Sequence, residues 1–347
     1  MNSLSTLLRI TSIKTETVDT KSFTLETVDG KPLVYKPGQF LTLLFKHSNG
    51  DEVRRSYSIS SSTTLEEPLT ITIKKIPNGE FSRKMVDQAR EGNLLNSIGA
   101  AGLFTLPDSY PAHQRFCFLA AGSGITPIFA QIKSILYGSA NRVILIYSNR
   151  SASSTIFLDE ILQLKDQFKD QLMLELLFSE SAILTQSRLT QGVLDQLAQK
   201  HALYKDDDTL FYLCGPSAYM RMINIKLRAE GISPESIKKE LFLVEAPTHK
   251  LAEPPDTDRH SVTIYYNNRS FTIEVQYPES ILATAKKQGE QLPYSCETGQ
   301  CGTCAAICTS GKVWMRYNEV LGKKALTDGY ILTCTGYPID GPVTLKL

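Results

Sequence analysis

The pattern of apolar and polar positions divides the chain of 347 residues into three parts. In residues 1 to about 108, short runs that alternate apolar and polar side chains recur between turn-forming residues, as in KPGQFLTLLF and LTITIKKI. Frequent short strands of this kind favour a closed antiparallel β-barrel. The next part begins with a continuous apolar run, Phe116 to Ala121, which predicts a buried parallel strand. Strand and helix patterns then alternate, which predicts a doubly wound α/β domain.

A third pattern fills the C-terminal part of the chain. SVTIYYNNRSFTIEV consists of two alternating runs around Asn267-Asn268 and predicts a β-hairpin, and SILATAKKQG predicts a short helix that ends at Gly289. LAEPPDTDRH, which precedes them, contains the Pro and Asp residues typical of a linker. The prediction is a multidomain chain: a barrel at 1–108, an α/β domain at 109–248, a linker at 249–258 and a last domain at 259–347.

Composition and charge narrow the function classes. Apolar residues make up 42% of the chain and charged residues 21%, as in ordinary globular proteins. A net charge of +1, with Lys and Arg spread along the chain, does not favour nucleic acid as a partner. No apolar run approaches the roughly 18 residues that span a bilayer, and the N-terminal residues do not resemble a signal peptide. We therefore expect a cytoplasmic protein, in which clustered cysteines serve metal or redox chemistry and not stable disulfides.

Four of the seven cysteines fall within SCETGQCGTCAAIC. Three of them are spaced Cys296-x4-Cys301-x2-Cys304, and Cys334 follows after a gap of 29 residues. This is the spacing of plant-type [2Fe–2S] sites. Structural zinc sites usually bring two short cysteine pairs, and a zinc site remains the alternative. The predicted iron ligands are Cys296, Cys301, Cys304 and Cys334.

The residues around these cysteines support a tight loop. Gly299 and Gly302 allow the left-handed backbone that brings three thiolates together from one side. Inward-pointing N–H groups of such a loop can bond the sulfurs. Two of the three remaining cysteines, Cys308 in AAIC and Cys117 in RFCFLA, are predicted to be buried core residues.

Residues 259–347 resemble the plant-type ferredoxins, through PYSCETGQCGTC and LTCTGYP. The resemblance implies a β-grasp fold of the α+β class that carries a [2Fe–2S] cluster. Upstream, RSYS resembles the R-x-Y-S motif of ferredoxin-reductase-like flavoproteins. That resemblance implies that Arg55 pairs with the flavin pyrophosphate, that Tyr57 lies against the isoalloxazine ring and that Ser58 bonds the ring edge. Tyr57 and Ser58 are thereby candidate catalytic residues, while an ordinary surface Arg on a polar strand is the alternative.

A second flavin segment follows at NGEFS. The resemblance implies that its G-x-x-S pattern cradles the FAD phosphates, so Gly79, Phe81 and Ser82 join the candidates. We expect a turn glycine with a hydroxyl N-cap, which presents N–H groups to the pyrophosphate. This segment favours FAD over FMN. Ile73 and Lys74 occupy the strand that the family uses beside the flavin; a buried strand residue and a solvated Lys are the alternative.

The α/β part carries two further motifs. The turn Gly122-Ser123-Gly124-Ile125-Thr126-Pro127 resembles the G-x-G-x-T-P turn of the reductase family, which binds a dinucleotide at the helix N-terminus. Gly122, Gly124, Thr126 and Pro127 are therefore candidate nucleotide-binding residues, with Pro127 suited to a first helical turn. Cys214-Gly215-Pro216 resembles the C-G-P motif near the nicotinamide and makes Cys214 a candidate catalytic residue. A buried small side chain is the alternative for Cys214.

Nucleotide preference stays open between NADH and NADPH. Arg150 and Arg188, with Ser148, could meet a 2′-phosphate, since the guanidinium fork suits phosphate. A solvated loop is the alternative for this segment. Glu245 resembles an acidic position beside the flavin.

The order of the three parts resembles the reductases of aromatic-ring oxygenases, including the phenylacetyl-CoA oxygenase type. The resemblance implies that electrons pass from NAD(P)H through FAD and a [2Fe–2S] cluster to an oxygenase, with no nucleic-acid partner and no transmembrane segment. A reductase of similar build that serves a fatty-acyl desaturase or another acceptor is the alternative. A non-catalytic zinc-binding protein is a distant one. An electron-transfer subunit of dihydroorotate dehydrogenase is disfavoured, because its last two cysteines are closer together in sequence.

Overall fold

The computed structural model describes residues 5–181, 183, 187–204, 208–242 and 252–347. Glu245 and the first residues of the predicted linker lie outside the described residues. The chain forms two compact units, Met1–Leu241 and Phe242–Leu347. None of the helices in the described ranges is long and apolar enough to cross a membrane.

The N-terminal part of the first unit is a six-stranded antiparallel sheet that closes on itself. Its strand order is β4-β3-β6-β1-β2-β5. A bridge between Ile59, just after β4, and Ile71 in β5 joins the two edges and confirms the predicted barrel. A helix, α1 (Glu80–Gln88), follows β5. The strands are β1 (Thr6–Thr17), β2 (Thr20–Thr27), β3 (Phe40–Lys46), β4 (Glu52–Ser58), β5 (Thr70–Lys74) and β6 (Leu94–Ala101).

The rest of the first unit is a five-stranded parallel sheet of order β11-β10-β7-β8-β9. The chain starts at the central strand β7, builds outwards to β9 and then returns to the other side of β7, as in doubly wound folds. The prediction of a doubly wound α/β domain is therefore confirmed. The elements are β7 (Arg115–Ala121), α2 (Ile125–Gly138), β8 (Val143–Asn149), α3 (Leu158–Gln167), β9 (Leu172–Phe178), α4 (Gln191–Lys200), β10 (Thr209–Cys214), α5 (Ser217–Ala229) and β11 (Ile237–Glu240).

Both faces of this parallel sheet are covered by helices. Successive residues of β7 point to opposite faces, so Phe116 and Phe118 pack in one core with α2 and α3. Cys117 and Leu119 pack in the other core with α4 and α5. Cys117 is completely buried, as predicted. This double burial explains why β7 is continuously apolar.

Helix α2 packs against the barrel through polar contacts. The hydroxyls of Ser62 and Ser134 are 2.7 Å apart. The buried ammonium of Lys133 pairs with Glu67, and the side-chain amide of Gln131 donates to the Phe104 carbonyl. Since α2 begins at the glycine-rich turn, these contacts fix that turn relative to the barrel.

The second unit is a five-stranded mixed sheet of order β13-β12-β16-β14-β15, in which β12 and β16 are parallel. Asn267 and Asn268 both have positive φ (51° and 59°), as a two-residue type I′ turn requires, so the predicted hairpin is confirmed. Helix α6 packs on the sheet, consistent with the predicted β-grasp fold. The elements are β12 (His260–Tyr266), β13 (Arg269–Val275), α6 (Ile281–Lys287), β14 (Ala305–Met315), α7 (Lys323–Thr327), β15 (Tyr330–Leu332) and β16 (Gly336–Lys346).

Candidate functional site

The four cysteines predicted as iron ligands meet as two pairs of sulfurs. The thiol of Cys301 bonds the sulfur of Cys296, which lowers the pKa of Cys296 to about 5 and raises that of Cys301. In the same way Cys334 bonds Cys304, so the pKa of Cys304 falls and that of Cys334 rises. No group of three or more His, Cys, Asp or Glu side chains suited to one ion occurs among the described residues. A two-by-two arrangement of thiolates suits a cluster of two irons held by four cysteines.

The loop that carries three of these cysteines turns its backbone N–H groups towards sulfur. The N–H of Thr298 lies 3.5 Å from the Cys296 sulfur, and that of Gln300 also bonds it. The N–H of Gly299 bonds Cys334. Gly299 has a φ of +78°, and a Cβ there would meet the carbonyl oxygen of Tyr317 at 2.7 Å. The loop therefore fits a thiolate-bound group, because its N–H groups can stabilise the negative charge that deprotonated sulfurs carry.

Cys308 is half-buried, so the prediction that it is a buried core residue is wrong. The register between β14 and β16 shifts between Cys308 and Ser310, which takes this part of β14 out of the regular alternation of faces. The thiol points along its own strand, 3.4 Å from the carbonyl oxygen of Ser310. It lies against the core without being enclosed by it.

The proposed flavin residues of RSYS lie at the end of β4. Arg55 and Tyr57 are two residues apart and share a face of the strand, whereas Ser58 is buried on the other face. The Arg55 guanidinium lies 5.5 Å from the centre of the Phe81 ring. Burial raises the pKa of Tyr57 to about 12, against the opposing effect of the Arg55 charge. Tyr57 is therefore a neutral phenol at physiological pH.

Helix α1 begins three residues earlier than a hydroxyl N-cap at Ser82 would require. Gly79 is the N-cap, and it makes no side-chain capping bond. The Ser82 hydroxyl instead accepts from the N–H of Ile76 and bonds the carbonyl of Gly79, each at 3.3 Å. The expected hydroxyl N-cap is thus wrong, because this hydroxyl is used to close the turn. Close packing explains why a glycine occupies position 79, because a Cβ there would meet Ile76 at 2.3 Å and Ser82 at 2.4 Å.

The side chain of Phe81 joins the two flavin segments. It is 2% exposed and stacks on Phe45 at 4.7 Å, with Arg55 over its ring. The first turn of α1, whose N–H groups have no partner within the helix, therefore lies beside the Arg55 guanidinium. A guanidinium next to a helix N-terminus is an environment that favours a phosphate.

Ile73 and Lys74 are the last two residues of β5. Ile73 packs in the barrel core at 1% exposure. The Lys74 ammonium lies 3.5 Å from the carboxylate of Asp19. Their contact with the flavin stays a prediction.

In the parallel sheet, the two nucleotide motifs are in direct backbone contact. A Cβ at Gly124 would meet the carbonyl oxygen of Cys214 at 2.0 Å, and a Cβ at Gly215 would meet Ala121 at 2.9 Å. The Thr126 hydroxyl donates to the Ser123 carbonyl at 2.9 Å, which stabilises the turn from inside. These motifs follow β7 and β10, at the carboxyl edge and at the switch point of the sheet, where ligands bind in this fold class.

The two helices that follow these motifs begin as the sequence indicates. Pro127 lies in the first turn of α2, and Pro216 is the N-cap of α5. Cys214 is completely buried, and burial, followed by the nearby Glu240, raises its pKa. The thiol is therefore protonated.

Glu240 is a candidate that the sequence analysis missed. It ends β11 and pairs in register with Cys214. It is 9% exposed, its Oε2 atom has no hydrogen-bond partner among the described residues, and burial raises its pKa to about 8. A buried carboxyl with a strongly raised pKa at a ligand-binding edge is a functional candidate. The sequence feature that could have identified Glu240 is its position at the end of the fifth strand of a doubly wound sheet.

The three residues considered for a 2′-phosphate are spread over two strand ends. Ser148 pairs in register with Ala121, directly beside the glycine-rich turn, and Arg150 is exposed just after β8. Arg188 is exposed in the segment before α4. None of the described contacts joins the two arginines.

Known proteins match the chain along its whole length. Family models match in order: an oxidoreductase FAD-binding domain at residues 7–106, an oxidoreductase NAD-binding domain at 118–224 and a 2Fe-2S iron-sulfur cluster binding domain at 264–338. The ferredoxin reductase component of 3-ketosteroid-9-alpha-monooxygenase from Mycolicibacterium smegmatis is 32% identical, over 97% of this chain and 95% of that protein. A component of 1,2-phenylacetyl-CoA epoxidase from Escherichia coli is 32% identical, over 97% and 96%.

The chain belongs to the family of FAD- and [2Fe–2S]-containing oxygenase reductases. It is an oxidoreductase, and the predicted cofactors FAD, NAD(P)H and a [2Fe–2S] cluster are confirmed. The 2Fe-2S model also decides against the zinc alternative. Phthalate dioxygenase reductase, a solved structure, shares the fold with a TM-score of 0.60 at 23% identity, over 99% of this chain and 98% of that one.

Proposed function

We propose that this reductase supplies electrons from NAD(P)H to a multicomponent oxygenase of the phenylacetyl-CoA type. The observation that carries an electron-transfer function is the two-by-two pairing of four thiols, three of them in a loop whose N–H groups face the sulfurs and the fourth from Cys334. The whole-length similarity to the Escherichia coli epoxidase component supports the choice of acceptor. The steroid monooxygenase component is equally similar, so a ketosteroid oxygenase is the second candidate.

In this proposal each motif holds one cofactor. Arg55 and the first turn of α1 bind the FAD pyrophosphate, and Tyr57 and Ser58 contact the flavin ring. The turn at Gly122–Pro127 binds the nucleotide pyrophosphate. Cys296, Cys301, Cys304 and Cys334 hold the irons. Bound FAD would supply hydride chemistry and a bound [2Fe–2S] cluster one-electron chemistry, so the protein contributes binding, orientation and electrostatics.

The edge formed by Cys214 and Glu240 is the proposed nicotinamide side of the site. The side chains of both residues are neutral at physiological pH by the direction of their pKa values. Because both side chains next to the reacting ring are neutral, neither attracts nor repels the charge that moves with the hydride. Gly124 and Gly215 let the two backbones approach closely enough to form this edge.

Cytoplasmic location is part of the same proposal, because iron-ligating thiolates must stay reduced until the cluster is assembled. We likewise propose that the three domains span residues 1–108, 109–248 and 259–347. Within the predicted linker, Asp256 bonds both His260 and the N–H of Asp340. We therefore propose that the end of this linker, from Asp256 onwards, is held against the C-terminal domain.

Reconstitution tests the proposed acceptor. The purified reductase, with its FAD, iron and sulfide content verified, is combined with the oxygenase components of phenylacetyl-CoA epoxidase, of ketosteroid 9α-monooxygenase, and with a fatty-acyl desaturase. We expect NAD(P)H-dependent product with the phenylacetyl-CoA oxygenase, at a rate at least tenfold above the other two. The C301S variant is the matched control and should give no product. Faster turnover with the steroid oxygenase or the desaturase would replace the proposed acceptor, and zinc in place of iron would contradict the whole proposal.

A further inference from the structure

A completely buried tyrosine lies under the turn that we assign to the nucleotide. Tyr147 is in β8 and pairs in register with Ala120 of β7. Its hydroxyl lies 3.1 Å from the carbonyl oxygen of Gly122 and 3.3 Å from that of Ile156. One phenolic hydrogen is thus shared between two carbonyl groups from different segments.

The first of these carbonyls determines how the turn presents its N–H groups. The C=O of Gly122 and the N–H of Ser123 belong to the same trans peptide and point in opposite directions. Because Tyr147 holds this C=O towards the interior, the N–H of Ser123 points to the opposite side of the turn. Gly122 has a φ of +55°, which a residue with a side chain rarely adopts. The glycine permits this peptide orientation, and two bonds to its carbonyl hold it, one from the Tyr147 hydroxyl and one from the N–H of Ile125.

The second carbonyl belongs to the segment that follows Arg150. Ile156 precedes Phe157, which has a φ of +60°, a strained backbone for a bulky side chain. Phe157 is nevertheless 5% exposed and stacks on Phe129 of α2, with ring centres 4.4 Å apart. The segment is therefore attached twice to the nucleotide-binding element, once through the Tyr147 hydroxyl and once through the stacked rings. Strain of this kind persists only where the surroundings fix it.

We propose that Tyr147 is a positioning residue for the nicotinamide nucleotide. Its hydroxyl fixes the Gly122–Ser123 peptide with the N–H outward, where it meets the pyrophosphate, and it holds the segment from Arg150 to Phe157 at a set distance from that turn. Tyr147 does not touch the nucleotide itself. The inference rests on the proposed placement of the nucleotide at the Gly122 turn.

The test replaces one hydroxyl and keeps the ring. In Y147F the Gly122 carbonyl loses one of its two bonds and keeps the one from the N–H of Ile125, so we expect the KM for NAD(P)H to rise about 3- to 10-fold, the effect of one hydrogen bond. The kcat with ferricyanide and the FAD content should stay within twofold of the wild type. Y212F is the matched control: Tyr212 is also completely buried, but its hydroxyl donates to the Thr105 carbonyl, away from the turn. This control should leave the KM unchanged.

A purely structural role would lower stability without separating KM from kcat. An equal rise in KM for Y147F and Y212F, or a KM for Y147F that rises less than about threefold above the wild type, would therefore overturn the proposal. If turnover is lost, the dissociation constant of the oxidised nucleotide from equilibrium titration gives the same comparison. T126V removes a hydroxyl within the turn itself. This variant distinguishes the placement of the nucleotide at the turn from the positioning role of Tyr147. A KM effect in T126V but not in Y147F refutes the positioning role alone, whereas no effect in either variant refutes the placement of the nucleotide as well.

Discussion

Replacement of Glu240 by glutamine isolates the contribution of one buried carboxyl to stability. Glu240 is 9% exposed at the end of β11, and no side chain or backbone group in the part of the chain that the structure describes bonds its Oε2 atom. Burial alone raises its pKa from 4.5 to about 8. The fold therefore favours the protonated carboxyl, which glutamine resembles in shape and in the absence of charge.

The size and sign of the effect follow from this shift. The pKa difference is about 3.5 units, and each unit is worth about 1.36 kcal/mol, so ionisation of Glu240 costs the fold about 5 kcal/mol at most. A group whose pKa is raised in the folded state gives its full stability below the unfolded value, here 4.5. That contribution is lost as the pH rises from 4.5 to about 8. The E240Q protein has no such group and should lack this loss.

Thermal unfolding of the first unit, followed by release of flavin fluorescence, measures the difference. For a unit of this size, about 5 kcal/mol corresponds to roughly 10–20 °C in Tm. We expect E240Q and the wild type to melt together near pH 5 and E240Q to melt higher by an amount of this order near pH 9. E91Q, at an exposed glutamate after α1, should follow the wild type at every pH. Parallel curves for E240Q and the wild type would show that Glu240 titrates normally, and the reasoning from burial would fail.

Three further changes test the proposed cofactor residues. R55A should weaken FAD retention by about 1.5–3 kcal/mol through loss of a charge-assisted bond, and equal flavin content after dialysis would remove Arg55 from the site. C301S should lose the cluster and most cytochrome c reduction while it keeps ferricyanide reduction by the flavin, whereas C308S should keep both; the reverse result would shift the ligand assignment. R150A or R188A should raise the KM for NADPH and leave that for NADH nearly unchanged if either arginine binds a 2′-phosphate, and parallel changes with both nucleotides would exclude it.

Most of the fold could be predicted because its signals are local. The apolar run of β7 and the Asn267-Asn268 turn each depend on a few adjacent residues. The iron ligands are close in sequence, except for Cys334, and their spacing carries the assignment. Prediction of the barrel required only a recurring pattern of short alternating strands. The barrel closes where the two edges of the sheet meet, at Ile59 and Ile71.

Local sequence patterns do not predict features that depend on contacts between distant segments. In the sequence, Glu240 belongs to the polar segment IKKE, which predicts an exposed side chain. It is buried because β11 lies beside β10, where Glu240 pairs with Cys214. Cys308 occupies a strand position that alternation predicts to be buried, and a register shift against β16 exposes it. Ser82 is a residue type suited to an N-cap, but Gly79 takes that place because the hydroxyl of Ser82 bonds Ile76.

The glycines of the turn after β7 show how a motif can combine two physical requirements. Gly122 has a positive φ, and a Cβ there would meet nothing within 4 Å, so its role is conformational. Gly124 has an ordinary helical backbone, but a Cβ there would lie 2.0 Å from the carbonyl oxygen of Cys214. The second glycine is therefore required by the approach of the C-G-P segment, whatever ligand the turn binds. The sequence pattern G-x-G-x-T-P is thus required by the contact between two strand ends as well as by the proposed binding of a phosphate. A change in either G-x-G-x-T-P or C-G-P must therefore be accompanied by a change in the other.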